Sequence, residues 1–298
     1  MKVATWNVNS VRARLPNILN WLNDNPVDIL LLQEIKCVDQ EFPKEDFNGL
    51  GYKIIVNGQK SYNGVAILSF SEPQNVVYNL PGYDEGAWWV QDAGATLPVQ
   101  LFGKLDGANV LDVCAAPGGK TAQLLCGGAN VTAIDISKVR IRRLKENLDR
   151  LGLKAELIHA DIKKWTTSRL FDFIFLDAPC SATGTIRRNP DVLIHKTYED
   201  VQKLSIVQME ILQKVSKLVR PGGQLVYCTC SLQYEEGEAQ VDRFLSKNTG
   251  FRRDPISLHE IGSFSDAINV NGDLRLLPYH LDQNEGVDGF FASRLTRK

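Results

Sequence analysis

Cys180 and Cys230 are the residues of this chain best placed to do chemistry. The first closes Asp177-Ala178-Pro179-Cys180 and the second closes Thr229-Cys230-Ser231. Each follows an apolar run that reads as a buried strand, Phe173-Ile174-Phe175-Leu176 before one and Gln224-Leu225-Val226-Tyr227 before the other. Ligands of a parallel α/β sheet bind beyond the carboxyl ends of its strands. Both thiols are therefore expected to open onto one crevice, beside the acid Asp177. Thiols held near a carboxylate suit covalent attack on a ring that must be activated before it reacts. Alternation sets Val226, Cys228 and Cys230 on one side of their strand. Cys228 then reads as a packing residue, whereas Cys230 stands at the strand end, where packing demand drops. Cys37 and Cys126 read as structural.

The elements that must position these thiols are legible from residue 109 onward. Strands alternate with helices over 109–298, which implies a doubly wound, Rossmann-like sheet. The strand Asn109–Val113 runs into Cys114-Ala115-Ala116-Pro117-Gly118-Gly119-Lys120-Thr121. Its glycines let backbone approach a ligand, and the helix that follows points its positive end there. A Walker A loop would need glycine where Cys114 stands, and a GxGxxG run is absent. Strands at Val131–Ile134 and Ala155–His159 lead to Asp135 and Asp161, and a further strand ends in Asp177. Alone, Asp135 reads as a helix cap. Three strand-terminal acids after one glycine loop suggest a nucleoside-containing cofactor across the sheet edge. Leu204, Val207, Ile211, Val215 and Leu218 form a core-facing helical stripe.

Composition sets wider bounds. The 298 residues are 44% hydrophobic, enough for one large domain or two smaller ones. A net charge of −1 gives no global basic field, although local patches are what nucleic acids meet. The six cysteines show no CxxC and the four histidines no HxxxH, which argues against a zinc site, and no metal is expected among the site residues. No signal peptide or membrane-length apolar run is visible, and the free thiols fit a reducing cytoplasm.

Residues 75–298 resemble the Sun/NOP family of RNA cytosine-5 methyltransferases, RsmB-type enzymes of small-subunit ribosomal RNA above all. The resemblance rests on Leu111 to Thr121, on Leu176-Asp177-Ala178-Pro179-Cys180-Ser181-Ala182-Thr183-Gly184, on Tyr227-Cys228-Thr229-Cys230-Ser231-Leu232 and on Gly286-Val287-Asp288-Gly289-Phe290-Phe291-Ala292. It implies S-adenosylmethionine as cofactor, contacted by Cys114, Ala115, Ala116, Pro117, Gly118, Gly119, Lys120, Asp135, Asp161 and Asp177. It implies that Cys230 is the nucleophile and that Cys180 helps release the product. A protonated Asp177 would serve ring N3. RNA must reach the same crevice, and Arg187 and Arg188, just beyond Cys180, are expected to meet phosphates. The basic stretch Lys138, Arg140, Arg142, Arg143 and Lys145 is either a solvated face or a second RNA contact. Trp88 and Trp89 either stack on bases or pack the junction between the two pieces.

Residues 1–69 differ in kind. Strands are expected at Met1–Asn9, Asp28–Leu32, Tyr52–Val56 and Gly64–Leu68, with a helix over Leu15–Leu22. Thr5-Trp6-Asn7-Val8-Asn9-Ser10-Val11-Arg12 and Leu31-Leu32-Gln33-Glu34-Ile35-Lys36 resemble the start of exonuclease III-type AP endonucleases. That family holds magnesium with the residues matching Asn7 and Glu34. Its Gly-Asp-Phe-Asn and Ser-Asp-His motifs do not occur here. The division expected is thus 1–70, a truncated endonuclease-like α/β sandwich fragment, and 71–298, the methyltransferase domain. The fragment would have sheet edges and apolar faces without partners. A bifunctional or vestigial nuclease, and an RNA-binding relic without catalysis, are the rival readings.

Overall fold

The computed structural model describes residues 2–73, 76, 78, 81–262, 264–280 and 286–298. Met1, where the first expected strand starts, and part of the 71–108 segment fall outside them. The chain divides into two compact units, Met1–Leu80 and Pro81–Lys298. The change in composition near residue 70 therefore lies within the first unit.

The first unit contains β1 (Val3–Asn7), α1 (Val11–Asp24), β2 (Ile29–Gln33), α2 (Lys44–Asn48), β3 (Lys53–Asn57) and β4 (Val65–Ser69). Ser10 caps α1 by accepting from Ala13 N at 3.4 Å. Its apolar face buries Val11, Ile18 and Leu22. The strands pair in the order β1-β2-β4-β3. Register sets Leu30 opposite Leu68 and Leu68 opposite Ile54, and the next row joins Leu32, Ala66 and Val56. These rows and α1 build one core. The alternate residues Val3, Val65 and Ile67 lie exposed on the other face. The fragment thus has a core on one side of its sheet, and among the described residues the expected lack of partners applies to the other face and to the edge strands β1 and β3.

The second unit runs α3 (Ala93–Gln100), β5 (Asn109–Val113), α4 (Gly119–Cys126), β6 (Asn130–Asp135), α5 (Lys138–Arg150), β7 (Glu156–His159) and β8 (Phe171–Asp177). It continues with α6 (Val192–His195), α7 (Tyr198–Ser216), β9 (Val219–Thr229), α8 (Glu238–Lys247), β10 (Phe251–Arg253), α9 (Leu258–Ile261), β11 (Leu274–Leu276) and β12 (Phe290–Arg297). The sheet order is β10-β12-β9-β8-β5-β6-β7, with β11 on β12. Strands β7, β6, β5, β8 and β9 are parallel, and β12 is antiparallel to β9. This is the Rossmann-like α/β sheet expected from the alternation of elements. Because β5 neighbours both β6 and β8, the order reverses beside it, and that reversal opens a crevice at the strand ends.

Both faces of the sheet are covered, which explains the unbroken apolar runs. Phe175, Val226 and Cys228 pack on one side. Ile174, Leu176, Leu225 and Tyr227 pack on the other, with Leu212 and Val215 of α7 and Val241 of α8. Strand β9 is longer than its apolar run, because Val219 pairs with Phe171 across an irregularity in β8. No helix among the described residues is long and apolar enough to cross a membrane.

Candidate active site

Strands β8 and β9 run parallel with Asp177 opposite Cys228. Hydrogen bonds continue past the sheet: Ala178 N donates to Cys228 O and Gly184 N to Cys230 O, each at 2.9 Å. The two loops leave the strands side by side, and Cys180 Sγ comes to 3.5 Å from Cys230 Sγ. Gly184 makes this approach possible. A Cβ there would lie 2.0 Å from Gly289 O and 2.9 Å from Cys230 O, so any side chain would push the loops apart.

A cavity of about 370 Å³ opens at the thiols, and Cys114, Asp135, Asp161, Asp177, Cys180 and Cys230 are among its walls. A space of about 160 Å³ shares Cys114 and Asp177 with it and is walled by Ala115 through Lys120. All the residues expected to hold a cofactor therefore border two spaces with common walls. Gly118 precedes α4 with φ 105°, a left-handed conformation, and a Cβ there would come within 3.1 Å of Leu144. Val207 and Ile211, read as core, also wall the larger cavity.

The acids have distinct surroundings. Asp135 is buried and accepts from Ser137 N at 2.9 Å and Ala116 N at 3.3 Å, so it braces the glycine loop as well as lining the cavity. Arg140 donates to Ala116 O and stands 3.6 Å from Asp135. Asp161 accepts from Lys163 N at 3.0 Å. Asp177 accepts from Lys120 Nζ at 2.8 Å and faces Cys228 Sγ at 3.7 Å. Burial works against the Lys120 ammonium, but the charge and hydrogen bond of Asp177 together with Cys228 and Cys230 outweigh it, and the Lys120 pKa rises. Asp112 lies beneath the loop and accepts from Thr121 Oγ1 at 2.6 Å, while its Oδ1 has no hydrogen-bond partner. Burial raises the Asp112 pKa to about 7.

The thiols divide by environment. Burial pushes Cys114 up to about 12 and Cys228 well above the ordinary thiol value. Cys180 is also raised well above it, first by its hydrogen bond to Cys230 and then by burial. Cys180 therefore keeps its proton at neutral pH. Cys37 is buried as expected of a structural thiol, whereas Cys126 is exposed at the end of α4.

Arg187 and Arg188 are not open cations. Arg188 grips the buried Asp288 through Nε at 3.0 Å and Nη2 at 2.6 Å. Arg187 pairs with Asp92 at 2.8 Å and lies 3.6 Å from Asp288. They tie the loop after Cys180 to the approach to β12. No local pattern signals this, because Asp288 is 100 residues away from Arg188. Within the basic stretch, Arg142 and Lys145 meet Glu146 and Asp149 one turn on. Trp88 donates to Pro81 O at 2.9 Å and Trp89 to Gln91 at 2.7 Å, so both indoles are engaged locally. Sequence reasoning missed Lys120 as the partner of Asp177 and missed Glu236 altogether. A buried glutamate following Thr229-Cys230-Ser231 by a few residues carries no local signal.

Comparison with known proteins adds a second line. The family described as 16S rRNA methyltransferase RsmB/F matches residues 99–296. The ribosomal RNA small subunit methyltransferase B of Salmonella arizonae is 40% identical over 227 residues, 74% of this chain and 50% of that protein. Its counterpart from Xylella fastidiosa is 39% identical over 228 residues, 74% and 52% of the two chains. The chain thus spans about half the length of the curated relatives it matches. Among solved structures, NSun6 from Pyrococcus horikoshii with SFG gives a TM-score of 0.64 at 27% identity, over 79% of this chain and 60% of that one. A methyltransferase homolog protein from Pyrococcus horikoshii shares the fold, with a TM-score of 0.60 at 24% identity over 97% and 91% of the chains.

Two predictions follow from these surroundings. Asp112 has a folded pKa of about 7 against an ordinary 3.8, so the native state holds the extra proton between those values. Its contribution to stability is therefore lost as pH rises towards 7 and is constant above. Asp112→Asn should remove that slope, gaining about 2–3 kcal/mol over the wild type between pH 5 and pH 8. Urea midpoints at the two pH values measure this, and parallel wild-type and variant curves would contradict it. Arg188→Ala should cost about 2 kcal/mol by unfolding midpoint, less than a fully buried pair because the arginine is half-exposed. Arg187→Ala should cost less, and the reverse order would contradict the pairing described.

Proposed function

The chain belongs to the RsmB/F family of 16S rRNA methyltransferases, and from that premise we propose that it methylates carbon 5 of cytosine in RNA, with small-subunit ribosomal RNA as the substrate and the cytoplasm as the setting. The observation that carries this reading is the pair of thiols 3.5 Å apart on the wall of a cavity that also presents Asp177. The methyl donor proposed is S-adenosylmethionine. Its fit rests on the glycine loop, on Asp135 and Asp161 as acceptors for ribose hydroxyls, and on the unpartnered Oδ1 of Asp112 under a site that takes a cation.

Carbon 5 of cytosine is a poor nucleophile. Attack by the Cys230 thiolate on carbon 6 converts the ring to an enamine-like species that accepts a methyl group at carbon 5. Charge builds at N3 as the C6–S bond forms. In this reading the hydrogen bond or proton at N3 comes from Asp177 together with Lys120, which is paired with it at 2.8 Å. S-adenosylmethionine supplies the electrophilic methyl group. Release then requires a base to take the carbon 5 proton while the C6–S bond breaks. The Cys180 thiol donates to the departing sulfur of Cys230, which its proton and its 3.5 Å contact allow. Arg187 and Arg188 remain the proposed phosphate contacts. Because Asp288 takes the Nε–Nη2 edge of Arg188, a phosphate there must use Nη1.

For the first unit we infer a piece of an AP endonuclease-like fold rather than a nuclease. Asn7 Nδ2 donates to Glu34 at 3.2 Å, which supports the pairing of these two residues, and Lys36 sits 3.2 Å from the same carboxylate. The remaining motifs of that chemistry are missing from the sequence.

Transfer of a labelled methyl group from S-adenosylmethionine to small-subunit ribosomal RNA tests the proposal. Cys230→Ala should abolish transfer, whereas a wild-type chain that binds RNA and transfers nothing would establish the silent-relic reading. Cys180→Ala should accumulate a covalent protein–RNA adduct on denaturing gels, because attack survives and release fails. No adduct would remove the role given to Cys180.

A further inference from the structure

Glu236 lies in a short 3-10 turn, Tyr234–Glu236, six residues beyond Cys230, and is 0% exposed. Its carboxylate meets no Lys, Arg or His in an ion pair among the described residues. An anion so placed is costly unless hydrogen bonds replace its water. Here they do. Oε1 accepts from Ser181 N at 3.0 Å and from Gln208 Nε2 at 2.9 Å. Oε2 accepts from Ser181 Oγ at 2.5 Å and from Ser231 Oγ at 2.6 Å. Charge-assisted bonds of this kind are about twice as strong as neutral ones.

The donors are what make the arrangement informative. Ser181 directly follows Cys180 and Ser231 directly follows Cys230. One oxygen atom therefore fastens the two thiol-bearing loops to each other. The turn itself is anchored to β9, because Glu236 O accepts from Tyr227 Oη at 2.8 Å and from Thr229 Oγ1 at 3.3 Å. Gln208 of α7 also donates to Pro179 O at 2.9 Å, so Cys180 is held from the residue before it and the residue after it. Thr183 Oγ1 completes the cluster, 3.4 Å from Ser181 Oγ and 3.3 Å from Ser231 Oγ.

We propose that Glu236 is a positioning residue of the thiol pair: by holding Ser181 and Ser231 on one carboxylate, it keeps Cys180 within donor distance of Cys230. This rests on the roles given above to those cysteines. The buried charge has a second effect in the same direction, since an anion nearby disfavours ionisation of Cys180 and keeps its proton available. Glutamine is an incomplete replacement: it removes the charge, and its Nε2 can hold Ser181 Oγ and Ser231 Oγ only if both hydroxyls turn round from donating to accepting.

The spacing is read directly by the disulfide equilibrium of Cys180 and Cys230 in a glutathione buffer at pH 7. The two thiols give up two protons and two electrons, and oxidised glutathione becomes two molecules of the thiol. Glu236→Gln should lower the effective molarity of this pair at least tenfold, read by peptide mass. Glu236→Asp, which keeps both oxygens, should recover part of the loss. In the methylation assay Glu236→Gln should accumulate the covalent RNA adduct with KM for S-adenosylmethionine unchanged within twofold, a split that general destabilisation does not produce. An effective molarity equal to that of the wild type overturns the proposal. If Glu236→Gln does not fold, the double variant Ser181→Ala, Ser231→Ala reads the same quantity, and an unchanged value there overturns it as well. The equilibrium needs neither RNA nor methyl donor. A wild-type chain that transfers no methyl group would sink the methyltransferase reading while leaving the spacing result standing.

Discussion

The parallel register of β8 against β9 is the constraint from which the site follows. Asp177 faces Cys228 across the ladder, and three more residues on one strand and two on the other reach the thiols. A slip of one residue would turn Cys230 to the opposite side of its strand and bury it among the residues of α7 and α8. Burial on both faces resists such a slip, because Phe175 and Val226 fill one layer while Ile174, Leu225 and Tyr227 fill the other. Packing thus sets the position of a sulfur that itself contributes little to packing.

Beyond the strands, polar groups take over from the apolar core. Gly184 lets the loops touch, and Glu236 ties them from behind. Arg188 and Asp288 close the far side against the approach to β12. Charges are balanced locally: Lys120 lies on Asp177, and Arg140 stands by Asp135. Asp112 differs from these pairs: it is a buried carboxyl under the loop with one oxygen unpartnered. An unsatisfied buried acceptor of this kind costs stability.

The two units owe their order to different balances of burial. The sheet of the second is covered on both faces, and its strands read as continuous apolar runs. The sheet of the first buries one face under α1 and leaves Val3, Val65 and Ile67 exposed, although both faces carry apolar residues. Alternation alone did not separate these cases, because the uncovered face of β4 is as apolar as the covered one.

Much of the second unit could be read without coordinates. The strand Asn109–Val113, the loop Cys114 to Lys120, the strand-terminal acids and both thiols are local features, since glycine tolerance and strand alternation act over a few residues. The sequence by itself determined which groups stand at the strand ends and therefore which chemistry is available. Tertiary structure decided what each of them faces. Lys120 meets Asp177 across 57 positions, Ser181 meets Glu236 across 55, and Arg188 meets Asp288 across 100. No periodicity reports such pairs, because a hydrogen bond or ion pair depends on distances that only the folded sheet and its loops define.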